Sequence, residues 1–354
     1  MKNYIKDIKI GNVIIGQEHK PFIIAEMSGN HNQSLEKALS IIDAAAAAGA
    51  HAIKLQTYTP DTLTIDVKHG EFSIQDPKSL WFGRNLYELY QEAMTPWEWH
   101  KALFNRAKEK GIFCFSTPFD DTAVDFLEEL EMQVYKIASF ENNHLPLLKK
   151  IAKTGKPVIM STGISKLSDI ELAVNTLKEN GCNEIILLKC TSTYPATPQN
   201  TNIRTIPHMS TLFNCHVGLS DHTLGIGTSV ASIALGARVI EKHFTLDRSE
   251  GGVDAAFSME PHEFKALVEE TERAYLSLGE VKYGILPDEL KSLTFKRSIY
   301  VIKDMKKGDV FTKDNIRIIR PGLGASPQHF DMFLGKKINQ SVIKGTALTF
   351  DLIG

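Results

Sequence analysis

Cysteine is scarce in this chain: four residues in 354, at Cys114, Cys182, Cys190 and Cys215, with no CxxC spacing. That argues against a disulfide framework and leaves free, mostly buried thiols as the expectation. Long apolar runs are missing too. Nothing reaches the roughly 18 consecutive apolar residues of a membrane helix, and the N-terminal MKNYIKDIKIG lacks the apolar stretch of a signal peptide. The expected location is the cytoplasm. Neither sign of charge is in excess, since Lys and Arg total 40, Asp and Glu 42, and the net charge is −2. Composition therefore gives no reason to expect nucleic acid or an anionic membrane as a partner. What is present is an ordinary globular balance, 43% hydrophobic and 23% charged, in a chain longer than one average domain.

After a short β-rich lead-in over residues 1–20, eight apolar, β-branched runs follow one another: 22–25, 52–55, 112–115, 134–138, 158–160, 185–188, 217–219 and 239–240. Helical patterns separate them. Ser34 is placed to cap the Ala-rich run 38–48, Thr95-Pro96-Trp97-Glu98 has the layout of a capped helix start, and Ser168 to Glu171 repeats it without the proline. Strand alternating with helix means a parallel sheet, and eight units in about 250 residues match a (β/α)8 TIM barrel. A doubly wound open sheet is the runner-up; polar residues recurring after nearly every strand favour the barrel.

One unit is too long. The insertion at residues 57–94 carries Phe72, Trp81, Phe82, Tyr87 and Tyr90, which either cover a ligand or pack a lid on the barrel rim. Residues 261–278 read as the eighth helix. The chain then changes character, with short strands at 298–301, 316–319 and 342–348 and the pattern KGxxΦT at Lys307 and again at Lys344. The reading is a barrel domain over 1–281, a linker over 282–291 and a compact β-rich domain over 292–354, small enough to depend on docking.

The chemistry gathers at the strand ends. His222 and His243 follow the seventh and eighth runs, and the small, apolar stretch 228–237 between them suits a crossover helix, so both imidazoles converge beside Ser220, Asp221, Glu241 and Lys242. Two such histidines point to a divalent metal, whereas one alone would be an ordinary satisfied polar residue. Lys54 and Lys136, among Ser and Thr hydroxyls, are best explained together as anion clamps for a small phosphorylated acid. A Schiff-base lysine is the competing reading, and it has no use for the histidine pair. Glu26 ends the first strand as a candidate acid or base, and His31 beside it reads as a loop residue that orients it.

In order, AEMSGNHN, KLQTY, FSTPFD, YKIAS, STG, CTSTYP, GLSDHT and EKHFTLD resemble the sialic acid synthase family, from about residue 21 to the C-terminus. The stretches LKLQTYTPDTLTID, SLWFGRNLYELYQEAMTPWEWH and ASFENNHLPL look like its pseudaminic acid synthase branch. The resemblance implies a TIM barrel followed by an antifreeze-like (SAF, β-clip) domain. It implies a transferase that condenses phosphoenolpyruvate with an acetamido sugar and releases phosphate, using Mn²⁺, with Mg²⁺ or Co²⁺ as alternatives.

Carried over by position, His222 and His243 match the metal ligands and Glu26 the catalytic carboxylate. Lys54, Thr117, Lys136, Ser139, Ser161 and Ser220 match the phosphoenolpyruvate site; Ser192 falls beside it, in place of the asparagine of the sialic acid branch. Gln56, Tyr194 and Asp254 match residues facing the sugar. Arg320 matches an arginine that reaches the partner's sugar in a domain-swapped homodimer. The branch's sugar is 2,4-diacetamido-2,4,6-trideoxy-L-altrose. N-acetylneuraminate or legionaminate synthesis on another acetamido hexose is the alternative. A non-catalytic carbohydrate-binding protein is the alternative of another class, and intact Glu26, Lys54, Lys136, His222 and His243 argue against it.

Overall fold

The computed structural model describes residues 5–354, so the start of the lead-in lies outside the described residues. The chain forms two units, Met1–Gly279 and Glu280–Gly354. In the first, β1 (Ile8–Ile10) and β2 (Val13–Ile15) make an antiparallel hairpin. Then come β3 (Phe22–Glu26), β4 (Ala52–Thr57), β5 (Phe113–Pro118), β6 (Tyr135–Ile137), β7 (Val158–Ser161), β8 (Ile185–Cys190), β9 (His216–Ser220) and β10 (Val239–His243). These eight pair in parallel, in chain order, and β10 closes on β3. The open-sheet alternative is thereby excluded.

The strands close this way because they are apolar continuously rather than alternately. β3, β7 and β9 are buried at every position, as a parallel sheet needs when helices cover its outside and side chains fill its inside. Each fully buried Ile or Leu contributes about 1.5–3 kcal/mol. The helices present matching stripes: Leu35–Ala47 buries Ala38, Ile41, Ile42 and Ala45, and Leu145–Lys153 buries Leu147, Leu148, Ile151 and Ala152. Ser34 caps the first of them, accepting from the Lys37 amide. The lead-in hairpin is held where strands begin, with His216 Nε2 donating to the Lys6 carbonyl and Arg238 to that of Gln17.

Two helix starts differ from expectation. The Thr95 hydroxyl accepts from His31 Nε2, whose Nδ1 accepts from the Gln33 amide, instead of capping, and Trp97–Trp99 is a 3-10 turn that leads into His100–Glu109. At Leu167–Glu179 the helix begins one residue before Ser168, with the Asp169 carboxylate accepting from the Lys166 amide.

The second unit has its own core of Ile299, Val301, Met305, Phe311, Ile316, Phe333, Ile338, Leu348 and Leu352. β11 (Ser298–Val301) pairs antiparallel with β12 (Ile316–Ile319). Residues 342–348 do not form the expected strand; Val342 and Ala347 make isolated bridges to Met305 and Tyr300. The two KGxxΦT segments are equivalent turns, with Gly308 at φ 93 and Gly345 at φ 91 and with Phe311 and Leu348 buried. The expected linker is partly structured, since Pro287–Phe295 is a 3-10 helix.

Candidate active site

At the carboxyl ends of the barrel strands lies a cavity of about 390 Å³. Glu26, Lys54, Gln56, Lys136, Ser139, Ser161, Tyr194, Ser220, His222, His243 and Asp254 all line it. Thr117 stands behind them and accepts from the Lys54 ammonium at 3.3 Å. Ser192 lies against Gly163, where a Cβ would come within 2.1 Å of its Oγ and 2.7 Å of Ser139 Oγ. Only glycine fits in that cradle of hydroxyls, and its amide donates to Ser139 at 3.0 Å. Arg320 belongs to the second unit and is exposed there.

Strand register sets the centre of the site. His243, Glu26 and Lys54 are neighbours across β10, β3 and β4. Lys54 Nζ lies 2.5 Å from Glu26 Oε2 and 3.9 Å from Glu241 Oε2, while Lys136 lies 3.9 Å from Glu241 Oε1. Opposite charges thus alternate in a buried chain, Glu26, Lys54, Glu241, Lys136. Ser220 donates to Glu241 at 2.9 Å, and Lys136 to Ser161 at 2.7 Å.

The two carboxylates are pushed apart. Burial raises Glu26 to about 7, opposed by Lys54 and reinforced by Glu241. Burial also raises Glu241, but Lys136 and Lys54 outweigh it and hold that group below its ordinary value. Burial depresses Lys136, whereas for Lys54 the two carboxylates more than reverse the effect of burial. One carboxylate therefore holds its charge while the other exchanges a proton near neutrality.

The imidazoles of His222 and His243 face each other with ring centroids 5.4 Å apart. His222 Nδ1 lies 3.0 Å from the Thr191 carbonyl, which only accepts, so that nitrogen carries a proton and Nε2 is the nitrogen that offers a lone pair when the ring is neutral. Burial lowers this imidazole, but Cys190 and the Thr191 carbonyl outweigh it and hold it above its ordinary value. His243 Nδ1 is buried without a hydrogen-bond partner, 3.8 Å from Asp254 Oδ2. Burial, His222 and the lysine charges hold His243 well below its ordinary value, so it is neutral. An orphaned, neutral imidazole nitrogen beside a second histidine and a carboxylate fits a divalent cation. Among the described residues no three His, Cys, Asp or Glu side chains form a complete ligand set, so such an ion would depend on water or substrate oxygens.

Two expected neighbours turn away. Asp221 and Lys242 are absent from the cavity wall and form a buried pair at 3.1 Å behind it, with Ser229 and the Thr223 carbonyl completing their bonds. His31 makes no bond to Glu26; it meets Thr95, Gln33 and Trp99. Of the insertion's aromatics Tyr58, Trp81 and Tyr90 line the cavity; Phe72, Phe82 and Tyr87 do not. Glu241, expected beside the histidines, does line the cavity, whereas nothing in the sequence singles out Glu141. Glu141 also lines the cavity, its Oε2 buried without a partner, and burial raises it to about 7.

The chain matches the family model described as NeuB family over residues 41–283 and that of the SAF domain over 296–353. It is 45% identical over 341 residues to the pseudaminic acid synthase of Campylobacter jejuni subsp. jejuni serotype O:2, covering 96% of this chain and 98% of that protein. It is 42% identical over 332 residues to the pseudaminic acid synthase of Helicobacter pylori, covering 94% and 97%. Among solved structures it is similar to the N-acetylneuraminic acid synthetase of Leptospira borgpetersenii serovar Hardjo-bovis in complex with citrate. The TM-score there is 0.73 at 34% identity, over 83% of this chain and 97% of that one.

Proposed function

Because the chain belongs to the NeuB family, we propose that it condenses phosphoenolpyruvate with 2,4-diacetamido-2,4,6-trideoxy-L-altrose to give pseudaminic acid and phosphate. One observation carries the reading: two buried lysines, two carboxylates pushed apart in pKa and a facing pair of histidines share one cavity with an apolar wall. That wall includes Leu63, Ile74, Trp81, Leu86 and Leu89, surface that suits a 6-methyl group better than a hydroxyl.

In this proposal Lys54 and Lys136, with Thr117, Ser139, Ser161, Ser192 and Ser220, hold the anionic substrate by charge and hydrogen bonds. His222 and His243 would hold a Mn²⁺ ion, which would supply Lewis acidity for the open-chain sugar. The C2–C3 π pair of phosphoenolpyruvate forms the bond to C1 of the sugar as the aldehyde π pair moves onto its oxygen, which takes up a proton to become a hydroxyl, leaving positive charge at C2. Water adds at C2 and ionised Glu26 takes one of its protons, offsetting the one taken up at the sugar oxygen; the phosphate ester then breaks at its C–O bond as the remaining C2 hydroxyl proton passes to the departing phosphate, leaving a ketone and free phosphate. Glu241, held ionised in the same cavity, supplies negative charge that favours the developing positive charge.

The test is phosphate release with phosphoenolpyruvate, Mn²⁺ and a panel of acetamido sugars. The diacetamido trideoxy sugar is expected to give the highest kcat/KM; no phosphate release with any sugar overturns the reading. The resemblance also implies a swapped homodimer in which Arg320 serves the other chain, and this is part of the proposal. Glu26→Gln and Arg320→Ala chains, each inactive alone, would then regain roughly a quarter of wild-type activity when co-expressed, since random pairing leaves one intact site in half the dimers.

A further inference from the structure

Ser28 follows β3 at φ 49, in the left-handed region that favours glycine, yet it is not glycine and is only 2% exposed. Its hydroxyl explains the choice. It donates to Asp254 Oδ2 and accepts from Gln56 Nε2 at 3.0 Å, while the same Gln56 nitrogen donates to Glu26 Oε1 at 2.9 Å. The result is one hydrogen-bonded chain, Glu26–Gln56–Ser28–Asp254, along the cavity wall. Both bonds of Ser28 cross to other elements, so a local turn does not account for them. Asp254 is fixed from the neighbouring residue as well, since the Trp81 indole donates to the Val253 carbonyl at 2.9 Å.

The direction of these bonds has a chemical consequence. Glu26, when ionised, only accepts, so the Gln56 nitrogen must face it; with that nitrogen committed to Glu26 and Ser28, the amide oxygen of Gln56 is left as an acceptor. Asp254 gives one oxygen to Ser28 and keeps the other. Two acceptors are thereby oriented on one wall, which is what a sugar bearing two acetamido N–H donors requires.

We propose that Ser28 is a positioning residue that fixes the amide orientation of Gln56 and the carboxylate of Asp254 as a paired acceptor for the acetamido N–H groups of the sugar. This rests on the substrate reading above. Without the hydroxyl, Gln56 is free to rotate its amide and Asp254 loses its bonded partner, so the sugar suffers while the phosphoenolpyruvate subsite around Lys136 and Ser161 does not.

The experiment uses the full chain with Mn²⁺ and phosphate release as readout, the wild type first, on the diacetamido sugar and on N-acetylmannosamine. Ser28→Gly and Ser28→Ala are then compared with it on whichever sugar the wild type prefers. Both variants are expected to raise the KM for sugar about tenfold or more and to leave the KM for phosphoenolpyruvate within about twofold. Gly relieves the left-handed backbone and Ala does not, so Ser28→Gly should melt at a higher temperature than Ser28→Ala while sharing its kinetic defect. A purely structural role gives the reverse: activity follows melting temperature, and Ser28→Gly keeps the wild-type KM for sugar. That result, or an equal rise in both KM values, overturns the proposal. Preference of the wild type for N-acetylmannosamine overturns the substrate reading alone, and a wild type that releases no phosphate overturns both.

Discussion

Glu26 and Lys54 stand opposite each other across β3 and β4 and meet as a buried ion pair, Nζ to Oε2, at 2.5 Å. Lys54 also lies within 3.9 Å of Glu241, so it serves two carboxylates, whereas Glu26 has only the one cation within 4 Å among the described residues. The partners are therefore unequal. Lys54→Met removes the cation from between two buried carboxylates and should destabilise by about 3 kcal/mol or more. Glu26→Gln leaves Lys54 with Glu241 and a neutral amide, and should cost clearly less. Urea unfolding of both variants at pH 7.5 checks the order, and equal losses would show that the pair is not coupled in this way.

His222→Ala and His243→Ala are each expected to abolish phosphate release while keeping the fold, because neither imidazole is core packing: both face the cavity and His243 Nδ1 bonds to nothing in the protein. Bound Mn²⁺ is to be measured alongside. Wild-type turnover after exhaustive chelation, or full metal content in both variants, contradicts the assigned role.

Trp81 presents its ring to the cavity 6.0 Å from that of Tyr194. If this surface meets the 6-methyl side of the sugar, Trp81→Phe, which loses the N–H bond to Val253 but keeps an aromatic wall, should be the milder change. Trp81→Ala should lower kcat/KM for the diacetamido trideoxy sugar by about 10- to 100-fold and narrow its advantage over N-acetylmannosamine. Unaltered selectivity in Trp81→Ala would remove the insertion from the account of specificity.

The barrel was legible because its strands are continuous apolar runs, and the eight runs counted in the sequence are its eight strands with ends shifted by one to three residues. His222 and His243 stood out for the same reason: an imidazole ending an apolar run has a fixed address at a barrel mouth. Glu241 was within reach of the same logic. Side chains alternate along a strand, so the inward His243 implies an inward Glu241 and an outward Lys242, which is what the structure contains. Glu141 and Ser28 carry no such period. They lie on loops, and only the folded chain brings Ser28 to Asp254, 226 positions away. In the second unit the run at 342–348 reads as a strand by composition, but the left-handed turn at Gly345 interrupts it and leaves single bridges on either side.

Two histidines away from the cavity set a pH dependence of stability. His31 and His100 are fully buried, and burial lowers each from 6.5 to about 4; His100 Nε2 bonds the Thr57 hydroxyl at 2.8 Å. Between those values the unfolded chain binds a proton that the folded chain excludes, so stability rises with pH across this window and is lost as pH falls from about 6.5 toward 4. Each group is worth on the order of 3 kcal/mol over the whole interval. Glu26 and Glu141, raised to about 7, act in the opposite sense: their protons are kept by the fold, and that contribution fades as pH rises toward 7. The net curve of the wild type is therefore flattened, and a variant is needed to separate the terms. His100→Gln keeps an amide that can still meet Thr57 but cannot titrate. Its stability penalty relative to wild type, measured by urea unfolding, should be about 2 kcal/mol smaller at pH 5 than at pH 7.5, because only the wild type has lost the His100 contribution at the lower pH. A penalty that does not change with pH would mean that His100 is not held neutral by its burial.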